Sequence, residues 1–221
     1  MDRHFDEELT LLKTRLLEMG GLAEDRLRMA VRALRDRDLA GLETVLVSDE
    51  AINTLHIEID DRCLKLLALH QPVAVDLRAI VSAVKINTDL ERVGDLAINI
   101  AEAGVRYLEH PPIQPLIDIP PMAATAKAML RDALDAFVRR DEVLARQVLD
   151  RDDELDALKG QMFRSLVAHM TRDPATIQPA LDLLLVSRHL ERVGDHATNI
   201  AEDVIFMVSA RDVRHHHDGA G

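Results

Sequence analysis

The segment spanning residues 89–102 reads DLERVGDLAINIAE, and the segment spanning residues 189–202 reads HLERVGDHATNIAE. Eleven of the fourteen positions are identical, at a constant spacing of 100 residues. A long repeat at a fixed spacing is typical of a chain built from copies of one structural unit. Apolar residues recur in both segments at intervals of three and four, which predicts amphipathic helices.

The repeat extends upstream of these segments. A shift of 103 residues aligns Asp38 with Asp141 and Val45 with Val148, so the second copy is three residues shorter between its second and third helices. The apolar period predicts an all-α fold with six long helices, arranged as two tandem three-helix bundles. The expected helices cover about residues 9–34, 38–69 and 75–108 in the first copy and 120–140, 141–170 and 175–209 in the second.

A proline-rich stretch separates the two copies. Five of the eight prolines fall between Pro111 and Pro121. Proline removes a backbone donor and clashes with the preceding turn, so this stretch is predicted to be a linker. The expected organisation is a first repeat over 1–108, a linker over 109–121, a second repeat over 122–210 and a polar tail over 211–221.

Composition narrows the functional classes. The net charge of −12 disfavours a nucleic-acid role, because neutralising phosphates requires a basic surface. Cys63 is the single cysteine, so neither a disulfide framework nor a cysteine-based zinc site is expected. The charged N-terminus does not resemble a signal peptide, and no apolar run reaches the roughly 20 residues that span a bilayer. We expect a cytoplasmic protein that associates with a membrane only through partners.

An acidic stripe runs along each copy of the repeated helix, on a helical wheel nearly opposite its main apolar side. Its residues follow spacings of four, four and three, which stack them on one face. Oxygen ligands of this kind suit hard cations such as Mg²⁺, Mn²⁺, Ca²⁺ or iron. The stripes are Glu91, Asp95, Asn99 and Glu102 in the first copy and Glu191, Asp195, Asn199 and Glu202 in the second.

The stripe has two interpretations. Acidic residues opposite a core usually form a solvated face, and Arg92 and Arg192 are placed to neutralise them without a metal. The repeat favours a shared binding role, because the stripe residues are identical in both copies whereas apolar Ile98 has become Thr198. We therefore predict the first three members of each stripe as metal ligands.

A second, weaker set of candidate metal ligands lies on the flank of the second helix of each copy. Its members are also explained as polar groups at the start or edge of a helix. They are Asp49 and Asn53 in the first copy and Asp152 and Asp156 in the second.

Two further features of the repeated helix call for interpretation. Gly94 and Gly194 interrupt both copies in mid-helix, where glycine costs about 1 kcal/mol relative to alanine, which predicts close helix packing. His196 flanks the second stripe alone, either as an aid to a metal site or as a surface residue. No glycine-rich phosphate-binding motif is present, so no organic cofactor is expected.

Several motifs together resemble the PhoU family, regulators of phosphate uptake, over nearly the whole chain. The two Leu-Glu-Arg-Val-Gly-Asp motifs with their Asn-Ile-Ala-Glu endings are the specific signal. Supporting matches are Phe-Asp-Glu-Glu-Leu at 5–9, Met-Gly at 19–20, Gln-Pro-Val-Ala-Val-Asp-Leu-Arg at 71–78 and Ala-Arg-Asp-Val-Arg-His at 210–215.

The resemblance implies a fold and a function. Family members are paired three-helix bundles, frequently homodimers, that repress the phosphate-starvation response. They act between a phosphate ABC transporter, at its ATPase subunit, and a membrane sensor histidine kinase. Some members carry iron or zinc on acid-x-x-x-Asp motifs, which match Glu91 with Asp95 and Glu191 with Asp195. Asn53 departs from this pattern, because it stands where the family has a carboxylate.

Three hypotheses follow from the sequence. The leading one is a metal-bearing, non-enzymatic regulatory adaptor. A rival is a di-metal carboxylate enzyme, but such sites use Glu-x-x-His pairs, and no Glu precedes a His by three residues here. The third is a metal-free helical scaffold.

Overall fold

The computed structural model describes residues 3–48, 50–113 and 119–213, and over these ranges the chain is helical without a strand. The all-α prediction with six long helices is confirmed. In chain order the helices are α1 (Arg3–Asp36), α2 (Leu39–Leu46), α3 (Glu50–His70), α4 (Val75–Leu108), α5 (Ile119–Arg139), α6 (Glu142–Asp150), α7 (Asp152–Arg172) and α8 (Ile177–Ser209), with one 3-10 turn at Pro174–Thr176 before α8.

The backbone repeats as the sequence does. Asp38 caps α2 and Asp141 caps α6, each accepting at 3.0 Å from the backbone N–H three residues further on. The residues before the caps, Arg37 and Arg140, both adopt a left-handed φ of 54°. The same turn is therefore built twice, 103 residues apart.

The second helix of each copy differs from the prediction, because it is broken into a short and a long piece. In the first copy the Ser48 N–H and hydroxyl both bond the Val45 carbonyl, at 3.2 and 2.7 Å. In the second copy the Arg151 N–H bonds the Val148 carbonyl at 3.2 Å. These bonds to the third residue back tighten the last turn and end α2 and α6.

The start of the linker is tied to the first copy. The Tyr107 hydroxyl, buried in the core, accepts from the Ile113 N–H at 3.0 Å. Helix α5 begins at Ile119, earlier than the start expected for the second repeat, with Pro120 and Pro121 in its first turn. Proline is tolerated there because the first N–H groups of a helix have no intrahelical partner.

Helices α4 and α8 form an antiparallel central pair. Arg78 Nε donates to the Met207 carbonyl at 3.2 Å, and the Ser82 hydroxyl donates to the Asp203 carbonyl at 3.1 Å. The buried apolar residues of both copies form one continuous cluster around this pair. The two predicted bundles therefore share a single core.

The mid-helix glycines serve close packing, as predicted. A Cβ on Gly94 would lie 2.9 Å from Cδ1 of Ile52 on α3. A Cβ on Gly194 would overlap Cδ2 of Leu155 on α7. In each copy the glycine lets the second helix lie against the third.

Candidate functional site

In the first copy an arginine neutralises the acidic stripe. Arg92 lies 3.5 Å from Glu91 (Nε to Oε2) and 3.5 Å from Asp95 (Nη1 to Oδ2). Glu91 is partly buried, whereas Arg92 is exposed. This is the arrangement that the metal-free interpretation predicted for Arg92.

In the second copy the stripe borders a groove between α7 and α8. Glu191 and Asp195 lie on its α8 wall, facing Asp156 and Lys159 on α7, and its volume is about 870 Å³. Lys159 donates from Nζ to Oε1 of Glu191 at 2.5 Å. A lysine from the neighbouring helix thus replaces the arginine that neutralises the first copy.

The carboxylates of the second copy crowd one another at one end of this groove. Burial raises the pKa of Asp195, and repulsion from Glu191, Asp152 and Asp156 raises it further. The weaker candidates Asp152 and Asp156 therefore stand close to the main stripe. Their spacing along the chain gave no indication of this proximity, because it depends on how α7 packs against α8.

The structure divides the stripe of the second copy in two. In the second copy Asn199 and Glu202 do not face the α7–α8 groove and instead line a cleft of about 290 Å³ beside Asp89 of α4. The Asn199 amide donates to Asp89 at 3.4 Å. In the first copy Asn99 is partly buried and Glu102 is exposed. The helical-wheel argument did not predict this division, because α4 and α8 also bury a second face against each other.

The acidic side chains of the stripes and their neighbours are the candidate donors for a cation. Within 3–48, 50–113 and 119–213, no three His, Cys, Asp or Glu side chains stand close enough to hold a metal ion as they are placed. The second copy nevertheless offers oxygen donors from two helices, Asp152 and Asp156 with Glu191 and Asp195, whose repulsion a hard cation would relieve. Asp49, a weaker candidate of the first copy, lies outside the described residues.

Sequence reasoning missed Lys159 and the role of His196. His196 donates from Nδ1 to Oδ1 of Asp89 at 2.8 Å, linking α8 to α4. His196 and Asp89 occupy two of the three motif positions at which the copies differ, and that difference was the available signal. Lys159 aligns with His56 and carried no such signal.

The fold and the site together define a class: a doubled three-helix unit with an acidic stripe on the third helix of each copy. In the described part of the chain, no helix combines the length and apolarity that a bilayer crossing requires. The family model described as "PhoU domain" matches the chain twice, over residues 16–104 and 119–204. The chain belongs to the PhoU family.

Named relatives agree with this assignment. The phosphate-specific transport system accessory protein PhoU homolog of Caulobacter vibrioides is 39% identical over 212 residues, covering 96% of this chain and 92% of the relative. The homolog so named in Aquifex aeolicus is 37% identical and covers 96% of both chains.

Solved structures have the same fold. The crystal structure of PhoU from Pseudomonas aeruginosa superposes with a TM-score of 0.89 at 38% identity, covering 94% of this chain and 100% of that one. The phosphate transport system regulatory protein PhoU from Streptococcus pneumoniae gives a TM-score of 0.88 at 29% identity, covering 95% of this chain and 99% of that one.

Proposed function

We propose that this chain is a negative regulator of phosphate uptake and of the phosphate-starvation response. The observation that carries the proposal is the doubled PhoU domain, with relatives named as phosphate transport accessory proteins across nearly the whole chain. Regulation by docking requires a rigid surface, which the shared α4–α8 core supplies. The protein acts as an adaptor in the cytoplasm.

The proposed adaptor is not an enzyme. Burial raises the pKa of the Cys63 thiol to about 12, which makes this side chain a poor nucleophile. The relatives are named as accessory and regulatory proteins. Binding, without turnover, is sufficient for the proposed role.

The proposed partners are the sensor histidine kinase of the phosphate response and the ATPase subunit of a phosphate ABC transporter. The acidic surface implied by a net charge of −12 is complementary to basic faces on such partners. The protein works as a homodimer and reaches the membrane only through these partners.

The proposed metal is iron, zinc, Mg²⁺ or Mn²⁺ at the acidic motifs. In the second copy Glu191 and Asp195, with Asp152 and Asp156 from α7, would hold it, and a bound cation would supply charge neutralisation. The first copy offers Glu91, Asp95 and Asn99, with Arg92 already beside the carboxylates.

A genetic experiment tests the regulatory role. Deleting the gene in its own organism is expected to switch on a phosphate-starvation reporter at high phosphate, and a plasmid copy is expected to silence it again. A reporter that stays silent after deletion shows that the protein is not a negative regulator.

An elemental experiment tests the metal. The protein is loaded with each cation, desalted and analysed before and after Glu91→Ala with Glu191→Ala. We expect metal content to fall in this variant and to persist in Asp25→Asn, which changes an exposed carboxylate outside the motifs. Metal retained unchanged by the variant rules out the two glutamates as ligands, whereas a wild-type protein that retains no metal favours the metal-free scaffold.

A further inference from the structure

Three arginines around the α7–α8 groove have no acidic partner among the described residues. Arg164 lies on α7 and Arg188 and Arg192 on α8, and all three are exposed on the walls of the groove. No carboxylate of the described residues lies within 4.0 Å of their guanidinium nitrogens. Most other arginines in the described ranges contact an acceptor, as Arg151 contacts Asp132 at 2.5 Å. The groove therefore carries three arginines that lack an ion pair with any described residue, in a chain of net charge −12.

The positive field of Arg188 and Arg192 reaches His189 on the same helix. Burial lowers the pKa of His189, and the charges of Arg192 and Arg188 lower it further. The acidic residues of the groove, Asp156 and Asp195, lie toward one end, as the register of α7 against α8 requires. The groove thus has an acidic end and a basic stretch.

The basic stretch is also apolar. Phe163 follows the groove wall on α7 with 55% of its surface exposed, and Leu184 lies across from it on α8. Val167, one turn after Phe163, and Leu181, two turns before Arg188, are exposed as well. An exposed aromatic ring among other apolar side chains is typical of a surface that accepts a partner.

The first copy provides an internal comparison, because it lacks this combination. Arg192 has an equivalent in Arg92, which is held by the stripe carboxylates. In the second copy Phe163, Arg164 and Arg188 are exposed, so core packing does not account for the difference. By the repeat shifts, Asp60 stands in place of Phe163, Asp61 in place of Arg164 and Thr88 in place of Arg188.

We infer that the α7–α8 groove docks an acidic, amphipathic segment of a partner protein. Its carboxylates bind Arg164, Arg188 and Arg192, and its apolar side packs on Phe163 and Leu184. Charge-assisted pairs between guanidinium and carboxylate groups are among the stronger polar contacts. Within the described ranges this combination occurs in the second copy alone, so it fixes the orientation in which the partner binds.

The geometry favours a long amphipathic helical segment over a compact anion such as phosphate. The acidic residues Asp156, Glu191 and Asp195 share the groove and repel a small dianion placed among them. A helical segment that lies along the groove can place its carboxylates at the basic stretch and leave the acidic end free. The inference depends neither on a bound cation nor on the role in phosphate regulation.

The test uses the full chain in EDTA and a fluorescently labelled peptide of about 18 residues, or five helical turns. The peptide has Glu on one face and Leu on the other, and binding is followed by fluorescence anisotropy. We expect Arg164→Ser with Arg188→Ser and Arg192→Ser to weaken binding at least about tenfold, and Phe163→Ser to weaken it several-fold. Binding is also expected to fall as salt is raised.

Matched controls separate the groove from general electrostatics. Arg172→Ser removes another exposed arginine that has no ion pair among the described residues, and it is expected to leave binding unchanged. A peptide with Gln in place of Glu is expected not to bind. Equal binding by the triple variant, equal binding of the Gln peptide, or displacement of the peptide by millimolar inorganic phosphate would each overturn the inference. Circular dichroism melts confirm that every variant is folded.

Discussion

Arg106 of α4 donates from Nε to Oδ1 of Asp182 on α8 at 3.2 Å, and this contact joins the two copies of the repeat. The Asp182 side chain is only 2% exposed, whereas Arg106 is about half exposed. The same relationship recurs where Lys85 of α4 contacts Asp203 of α8 at 2.7 Å. Two buried carboxylates of α8 thus depend on cations of α4.

The unequal burial of this pair predicts unequal mutational costs. Arg106→Ala leaves the buried Asp182 carboxylate without its cation and is expected to destabilise the protein by about 3 kcal/mol. Asp182→Asn leaves a half-exposed arginine that water can solvate, and is expected to cost about 1 kcal/mol. Urea unfolding of both variants measures the difference, and equal losses would contradict this account of the interface.

Two adjacent glycines in α1 allow the effect of an added Cβ on stability to be compared at a packed and at an open position. A Cβ on Gly20 would overlap Cδ1 of Leu134 on α5, whereas a Cβ on Gly21 meets nothing within 4 Å. We expect Gly20→Ala to destabilise by about 1 kcal/mol, because the buried Leu134 must shift. Gly21→Ala is expected to stabilise by about 0.8 kcal/mol through helix propensity. In thermal melts, a lower melting temperature for Gly20→Ala and a higher one for Gly21→Ala would support the α1–α5 contact. A higher melting temperature for both variants would contradict it.

The sequence predicted the repeat, the all-α class and the limits of α4, because these follow from local periodicity and from comparing the chain with itself. It did not predict the breaks after α2 and α6. No Pro or Gly marks them, and Ser48 and Arg151 end these helices through bonds to the third residue back. Local bonding of this kind leaves little trace in an apolar pattern.

The site was less predictable than the fold. An apolar period identifies which face is buried but not which helix covers it, so the division of the stripe depended on how α7 and α4 pack on α8. Asp182 is buried against Arg106, which lies 76 residues away along the chain. The grouping of Asp156 with Asp195 likewise requires the packed structure.

The crowded carboxylates of the second copy predict a pH-dependent effect of Asp195→Asn. The pKa of Asp195 is raised by burial and by its acidic neighbours, so the ionised carboxylate destabilises the metal-free native state above that pKa. This loss disappears as the pH falls through the raised pKa. In EDTA at about pH 7, Asp195→Asn is expected to raise the free energy of unfolding by a few tenths of a kcal/mol and so to raise the melting temperature. At acidic pH the variant is expected to match wild type.

The equivalent first-copy variant controls for this effect. Asp95→Asn removes a carboxylate that contacts Arg92 at 3.5 Å, and no gain in stability is expected at neutral pH. Equal increases in stability for Asp195→Asn and Asp95→Asn would show that repulsion within the second-copy carboxylates does not cause the effect.

The contact between Asp89 and His196 predicts energetic coupling between the copies. Both side chains are largely buried, and the Nδ1 to Oδ1 distance is 2.8 Å. His196→Leu introduces the residue found at the equivalent position 96 and leaves the Asp89 carboxylate with the 3.4 Å contact from Asn199. We expect His196→Leu alone to destabilise by about 1.5 kcal/mol, since it leaves a buried acceptor poorly satisfied.

A double-mutant cycle isolates that coupling. Asp89→Ala removes the acceptor, so adding His196→Leu to it is expected to cost less than in wild type, with a coupling energy of about 1 kcal/mol in urea unfolding. Thr54→Ala, which removes an exposed hydroxyl of α3, is the matched partner for which additivity is expected. Additive losses for Asp89 and His196 would mean that the contact does not stabilise the α4–α8 pair. The link between the copies would then rest on the other ion pairs and hydrogen bonds between α4 and α8 and on apolar packing.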